Sequence, residues 1–129
     1  MSVAGRNRTR GAQCAVYRPV ETLVAGSLER DWGQDNPVLD ARIELLPMSE
    51  TTRREFFGTE SLAELSAMVP ASFDIRPKDG IGVTTGPYAG RRFIVEARRS
   101  LFGYAELALV STTEWFPNPP DALPEGVEP

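Results

Sequence analysis

The chain has 129 residues, 41% of them apolar and 25% charged, with a net charge of −4, the size of one domain with tails. Its single cysteine, Cys14, and its lack of histidine exclude an internal disulfide, all but exclude a structural zinc site, and remove the commonest general base. No apolar run approaches the ~20 residues of a membrane span, and the start of the chain lacks the apolar core of a secretory signal.

Charge is unevenly spread. Residues 1–18 carry Arg6, Arg8, Arg10 and Arg18 and no acid, whereas beyond Arg99 only acids remain: Glu106, Glu114, Asp121, Glu125 and Glu128. Such polarity suits head-to-tail contact between identical subunits, different partners at the two ends, or simply two solvated tails.

In chain order, residues 1–12 are polar and rich in Gly and Arg and read as a flexible basic arm. Gln13 to Arg18 reads as a first strand, which Val20 to Ala25 extends past Pro19. Gly26 to Pro37 has the turn residues Gly33, Asn36 and Pro37 and reads as a loop. Trp32 in its middle either covers the core or makes an exposed contact; lone loop tryptophans favour the first. Val38 to Leu46 alternates, with Leu39, Ala41, Ile43 and Leu45 on one face and Asp40, Arg42 and Glu44 on the other, the mark of a half-buried strand.

Pro47 stops that strand. Ser49 to Gly58 follows, highly charged, with Ser49 placed as a helix N-cap and Gly58 as a C-terminal stop; it reads as a short helix or a long mobile loop. Ser61 to Val69 fits both a helix (Leu62, Leu65, Val69) and a strand ending at Pro70 (Leu65, Ala67, Val69). Pro77 to Ser111 reads as a three-stranded meander: Ile81 to Thr85, a turn at Gly86, Pro87 and Gly90, Arg92 to Arg98, a turn at Phe102-Gly103, and Tyr104 to Val110. Trp115-Phe116 is either an anchor on a partner or a cap over the barrel end. Residues 117–129, with Pro117, Pro119, Pro120 and Pro124 among acids, read as an extended tail.

Little in this order carries catalytic chemistry. Gly80-Ile81-Gly82 and Gly86 to Gly90 lack the spacing and following helix of a phosphate-binding loop. Cys14 has no histidine to activate it. Asp74 with Asp79, or Glu96 with Glu106 across a hairpin, are the available carboxylate pairs, and strand-exterior carboxylates are ordinarily solvated. Arg91, Arg92, Arg98 and Arg99 beside Phe93 and Phe102 partly fit a nucleic-acid surface, against which stand the acidic total and the strand alternation. The chain is therefore read as a non-enzyme with no cofactor and no metal.

From Asp40 to Ser111 the order of motifs resembles the head-closure (stopper) proteins of long-tailed bacteriophages, within the small head–tail connector family. ARIELLP, a strand ending in proline, leads into the charged MSETTRREFFGTES. LAELSAMVP, a second such strand, is followed by the aspartate-containing linker SFDIRPKDGI, the strand GRRFIVEA and the strand YAELALV. The resemblance implies a mostly-β fold: a small antiparallel β-barrel over residues 13–116 with a long charged loop, or a short helix, between strands two and three. It also implies a virion neck protein that forms a ring of its own copies below the portal or adaptor protein after DNA packaging. The ring would extend the channel, hold back genomic double-stranded DNA without sequence specificity, and dock the tail or tail-completion protein; no membrane is involved, and assembly is in the host cytoplasm. The family's channel loop falls here on Met48 to Ser61, which makes Ser49, Glu50, Arg53, Arg54, Glu55, Phe56 and Phe57 candidate gating residues, with opposite charges pairing between subunits. Trp32, Trp115 and Phe116 are the candidate partner contacts. A tail-completion or adaptor role in the same neck, or a small nucleic-acid-binding barrel, are the alternatives.

Overall fold

Five strands in sequence carry an apolar residue at every second position, and in the computed structural model these residues all point into one cylinder. The structure describes residues 3–32, 36–58 and 61–117. The elements are α1 (Val3–Arg10), β1 (Ala12–Tyr17), β2 (Val20–Val24), β3 (Ser27–Asp31), β4 (Leu39–Ile43), β5 (Leu45–Pro47), α2 (Glu50–Thr52) running into a π-helical turn (Arg53–Phe57), β6 (Leu65–Pro70), β7 (Gly80–Val83), β8 (Arg92–Ser100) and β9 (Tyr104–Ser111). Seven strands form an antiparallel sheet in the order β4-β1-β7-β8-β9-β6-β5, and β2 pairs only with β3. Because β4 and β5 are consecutive in the chain yet lie at opposite edges of the sheet, the sheet curls into a nearly closed barrel.

The inward set is Cys14 and Val16 from β1, Leu65, Ala67 and Val69 from β6, Ile81 and Val83 from β7, Phe93 and Val95 from β8, and Ala105, Leu107 and Leu109 from β9, with Ile43 and Ile75. Each large side chain fully buried here contributes about 1.5–3 kcal/mol. A register shift between Val95 and Ala97 marks a β-bulge at Glu96. Val95 lies opposite Leu109 and Ala97 opposite Ala108, so the bulge turns Ala97 to the outer face. At the barrel end Arg98 donates to the carbonyls of Ala71 (3.1 Å), Phe73 (2.7 Å) and Ile75 (2.9 Å), which ties the β6–β7 connection across the opening.

Cys14 is fully buried, and burial pushes its thiol up from 9.0 to about 12. The unfolded chain ionises this thiol near its ordinary value while the folded chain does not. Its contribution to stability is therefore whole below pH ~9 and is lost as pH rises toward ~12, by at most about 1.4 kcal/mol per pH unit. Urea unfolding from pH 8 to 10 is expected to show this loss, and Cys14→Ala is expected to remove that part of the slope.

The sequence expectation for residues 1–12 needs correction. Val3–Arg10 is a helix packed on the barrel seam, not a flexible arm. It has no apolar stripe, so periodicity gave no sign of it; polar contacts hold it instead. Asn7 is buried, donates from Nδ2 to the Met68 carbonyl (3.1 Å) and accepts from the Glu44 amide (3.0 Å). One side chain thereby bridges β6 to the break between β4 and β5, satisfying two edge groups that the barrel's own ladder leaves open. Arg6 adds an ion pair to Glu44 (3.0 Å). Gly11 follows the helix because a Cβ there would lie 2.3 Å from the Asn7 carbonyl oxygen and 2.7 Å from the Ile43 nitrogen.

Two further expectations change. Val20–Val24 does not extend β1, and Ser27–Asp31 is not loop: they form a hairpin whose residues are exposed throughout. Ala25 (φ 52°) and Gly26 (φ 84°) make the two-residue turn, and positive φ at both positions is the hairpin-favoured geometry. With no buried face, the charged β3 showed no alternation to read. The single strand expected over Val38 to Leu46 is split at Glu44, whose amide goes to Asn7. Leu65–Pro70 is a strand, laddered to β9 and β5.

Candidate functional site

The charged excursion falls between β5 and β6. Ser49 caps it as its sequence position suggested: its Oγ accepts from the Thr52 amide at 3.0 Å, leaving Glu50 in the first turn, where a carboxylate suits the positive end of the peptide dipoles. The helix then widens into a π turn at Arg53–Phe57, a geometry that recurs at functional positions. Gly58 ends it with φ 94°. Met48, Ala63 and Ala108 form a small buried cluster, with Phe57, Ala97 and Val110 packed against it. Ala97 and Ala108 are outward residues of β8 and β9, so the excursion lies on the outer wall of its own barrel.

Arg53 is committed within the subunit. Its guanidinium pairs with Glu50 (2.7 Å) and donates to the Ala63 carbonyl (2.6 Å), because three-residue spacing on a helical turn stacks the two side chains. Arg53 and Glu50 thus pair within the subunit. Glu50 keeps most of its side chain in solvent, and Arg54 and Glu55 are exposed. The side chain of Phe56 lies outside the described part of the molecule. The return leg is fastened by Glu96, at the β-bulge, which accepts from the Ser61 hydroxyl at 2.5 Å.

The three aromatic candidates separate. Trp32 is 3% exposed; its indole nitrogen donates to Glu114 at 3.0 Å and its ring lies 4.8 Å from that of Phe116. Phe116 is buried too, 5.8 Å from Tyr17 and against Gly80, where any Cβ would come within 2.9 Å of its ring. Both cover their own barrel, not a partner. Trp115 is 47% exposed, and the Arg92 guanidinium sits 4.3 Å from the centre of its ring.

Sequence reasoning missed the exposed hairpin, where Leu23 and Leu28 stand opposite each other at 71% and 65% exposure. An isolated two-stranded ribbon is marginal in water, and this one is fastened at its root by Lys78–Glu21 (3.2 Å) and Arg30–Glu114 (3.0 Å). The candidate carboxylate pairs do not form acid–base dyads. Asp74 is bound by Arg76 and Arg18, which hold its carboxyl below the ordinary range. Glu106 lies opposite Arg99, not Glu96, and accepts from it at 2.6 Å. Among the described residues no group of three or more Cys, Asp or Glu could hold a metal ion, and no helix is long and apolar enough to cross a membrane. Of the four arginines considered for nucleic acid, Arg98 and Arg99 are engaged inside the subunit.

No protein-family model and no curated protein matches the chain. Its fold is similar to the solution structure of protein SF1141 from Shigella flexneri 2a, with a TM-score of 0.60 and 17% identity over 89% of this chain and 100% of that one. At that identity the likeness concerns the fold.

Proposed function

We propose that this chain is a neck protein of tailed-phage particles, of the head-closure type. Copies form a ring between the portal or adaptor and the tail, and the Met48–Ser61 excursion controls the channel. The observation that carries this reading is the way the excursion is attached. It is a capped helical unit held to the barrel by two apolar side chains, Met48 and Phe57, one arginine clamp and the exposed Glu96–Ser61 contact, with Glu50, Arg54 and Glu55 facing outward. Full burial of a Met or Phe contributes about 1.5–3 kcal/mol, and Phe57 is only partly buried. Undocking therefore costs a few kcal/mol, within what a neighbouring subunit or a tail protein supplies.

The remaining surface fits the same reading. The exposed Leu23/Leu28 hairpin is a projecting contact for a neighbour. The net negative charge, repeated around a ring, repels phosphates and lets double-stranded DNA pass without being gripped. A tail-completion or adaptor role in the same neck uses the same surfaces. Particles carrying Arg54→Glu are expected to leak packaged DNA, read as a several-fold rise in nuclease-sensitive genome. Unchanged retention in both Arg54→Glu and Glu55→Lys particles, with neck assembly intact, contradicts the gating role.

A further inference from the structure

The β2–β3 hairpin is exposed along its whole length, so beyond its root it lies on no part of its own barrel. Leu23 and Leu28 stand on one face with Glu21 and Arg30, and Val20 and Val24 stand on the other with Glu29 and Asp31. Both faces therefore carry exposed apolar groups, and neither outer edge meets a further strand among the described residues. Such a ribbon gains its stability from what it packs against. Residues 20–31 hold three acids, Glu21, Glu29 and Asp31, and one base, Arg30. A surface that covers this hairpin has to be apolar and basic together.

An open cleft of about 600 Å3 between the start of β8 and the end of β9 offers that combination. It is lined by Gly90, Arg91, Arg92, Ser111, Thr112 and Thr113, with no hairpin residue of its own copy among them. The Arg91 side chain is 46% exposed and commits one nitrogen, Nη2, to Glu64 and Ser111. The Arg92 guanidinium lies over Trp115, which stands outside the lining and is half exposed, and its Nε has no hydrogen-bond partner among the described residues. Elsewhere the two properties separate. Phe102 follows Arg98 and Arg99, which are engaged inside the subunit. The Leu62 amide faces the Glu96 carboxylate. The α1 helix exposes Arg8 and Arg10 but no large apolar side chain. A cleft also meets both faces of a ribbon that enters edge-on, and its hydroxyls suit an open backbone edge. We infer that the β2–β3 hairpin of one copy enters the Arg91–Arg92 cleft of the next, with its leucines against Trp115 and Glu29 beside the two guanidinium groups. Arg30 and Trp32 both reach Glu114, so the hairpin root and the cleft adjoin in each copy. The contact joins two different surfaces and repeats from copy to copy around a ring; it rests on the ring reading for its neighbouring copies.

The test mixes two full-length variants, Ser27→Cys at the hairpin tip and Thr113→Cys at the cleft, with a short bifunctional thiol reagent. The native Cys14 is buried and stays silent. A covalent heterodimer is expected. It falls several-fold when the hairpin copy also carries Glu29→Arg, or the cleft copy Arg92→Glu, and recovers when both changes are present, which two misfolding lesions would not produce. Oligomers by light scattering without the heterodimer, or with one that ignores both charge changes, overturn this inference and leave the ring standing. Loss without recovery overturns it as well. Linkage only between two Ser27→Cys copies overturns it in favour of a hairpin-to-hairpin contact. A monomer at every concentration overturns both this inference and the ring.

Discussion

Asp79→Ala is expected to lower the unfolding free energy by about 3–5 kcal/mol, because it removes a buried carboxylate that accepts from both Arg18 and the Arg76 amide, leaving Arg18 only its solvent-exposed contact with Asp74. Asp79 is 1% exposed. Its Oδ1 accepts from Arg18 Nε at 3.1 Å, and its Oδ2 accepts from Arg18 Nη2 and from the Arg76 amide, both at 2.9 Å. Its backbone carbonyl accepts from Val95 at 2.8 Å. The same residue thus closes the Arg76–Asp79 turn, opens β7 and fixes the end of β1. Asp74, a few residues away, also carries two arginine contacts, yet its side chain is 63% exposed. Solvent screens such pairs to near nothing, and Asp74→Asn is expected to leave the stability almost unchanged. Denaturant unfolding of the two variants checks the contrast: a large midpoint shift at constant slope for Asp79→Ala, almost none for Asp74→Asn.

Trp32→Ala is expected to cost about 3–5 kcal/mol, the range for deleting a buried large aromatic, and to lower the Tm of the isolated chain by roughly 15 °C. The ring fills the space between Phe116 and the root of the β2–β3 hairpin, and its loss opens a cavity that these backbones cannot close. It also removes one of the two donors to Glu114, the other being Arg30 at 3.0 Å. Were Trp32 a partner contact, the isolated chain would lose under ~0.5 kcal/mol and only assembly would suffer. Calorimetry of the purified chain separates the two outcomes.

The barrel was legible where strands alternate cleanly, as in Val38 to Leu46 and the β9 run, whereas Ser61 to Val69 fitted a helix as well as a strand and only its ladders to β5 and β9 decide between them. The capped excursion was legible from Ser49, Pro47 and Gly58, whose backbone roles are local. Other features depend on long-range polar contacts with no periodic signature. Asn7 finds its partners in Glu44 and Met68, 37 and 61 residues further along the chain, so α1 looked like an arm. Arg53 found its carbonyl partner only once β6 was in place, so it looked free to pair with a neighbour. The hairpin buries nothing, so no apolar pattern announced it. Of the aromatic trio, Trp32 and Phe116 are hidden by each other, a fact of packing that spacing does not encode, and only Trp115 stays accessible, beside the cleft.

On the proposed reading, copies of this barrel encircle a common axis with the Glu50–Phe57 turn directed toward it. Electron microscopy of the purified chain together with its adaptor ring tests it most directly. The expected result is a closed ring of cyclic symmetry with the β5–β6 excursions on the channel wall. A monomer at every concentration, or a ring whose excursions face outward, would contradict it.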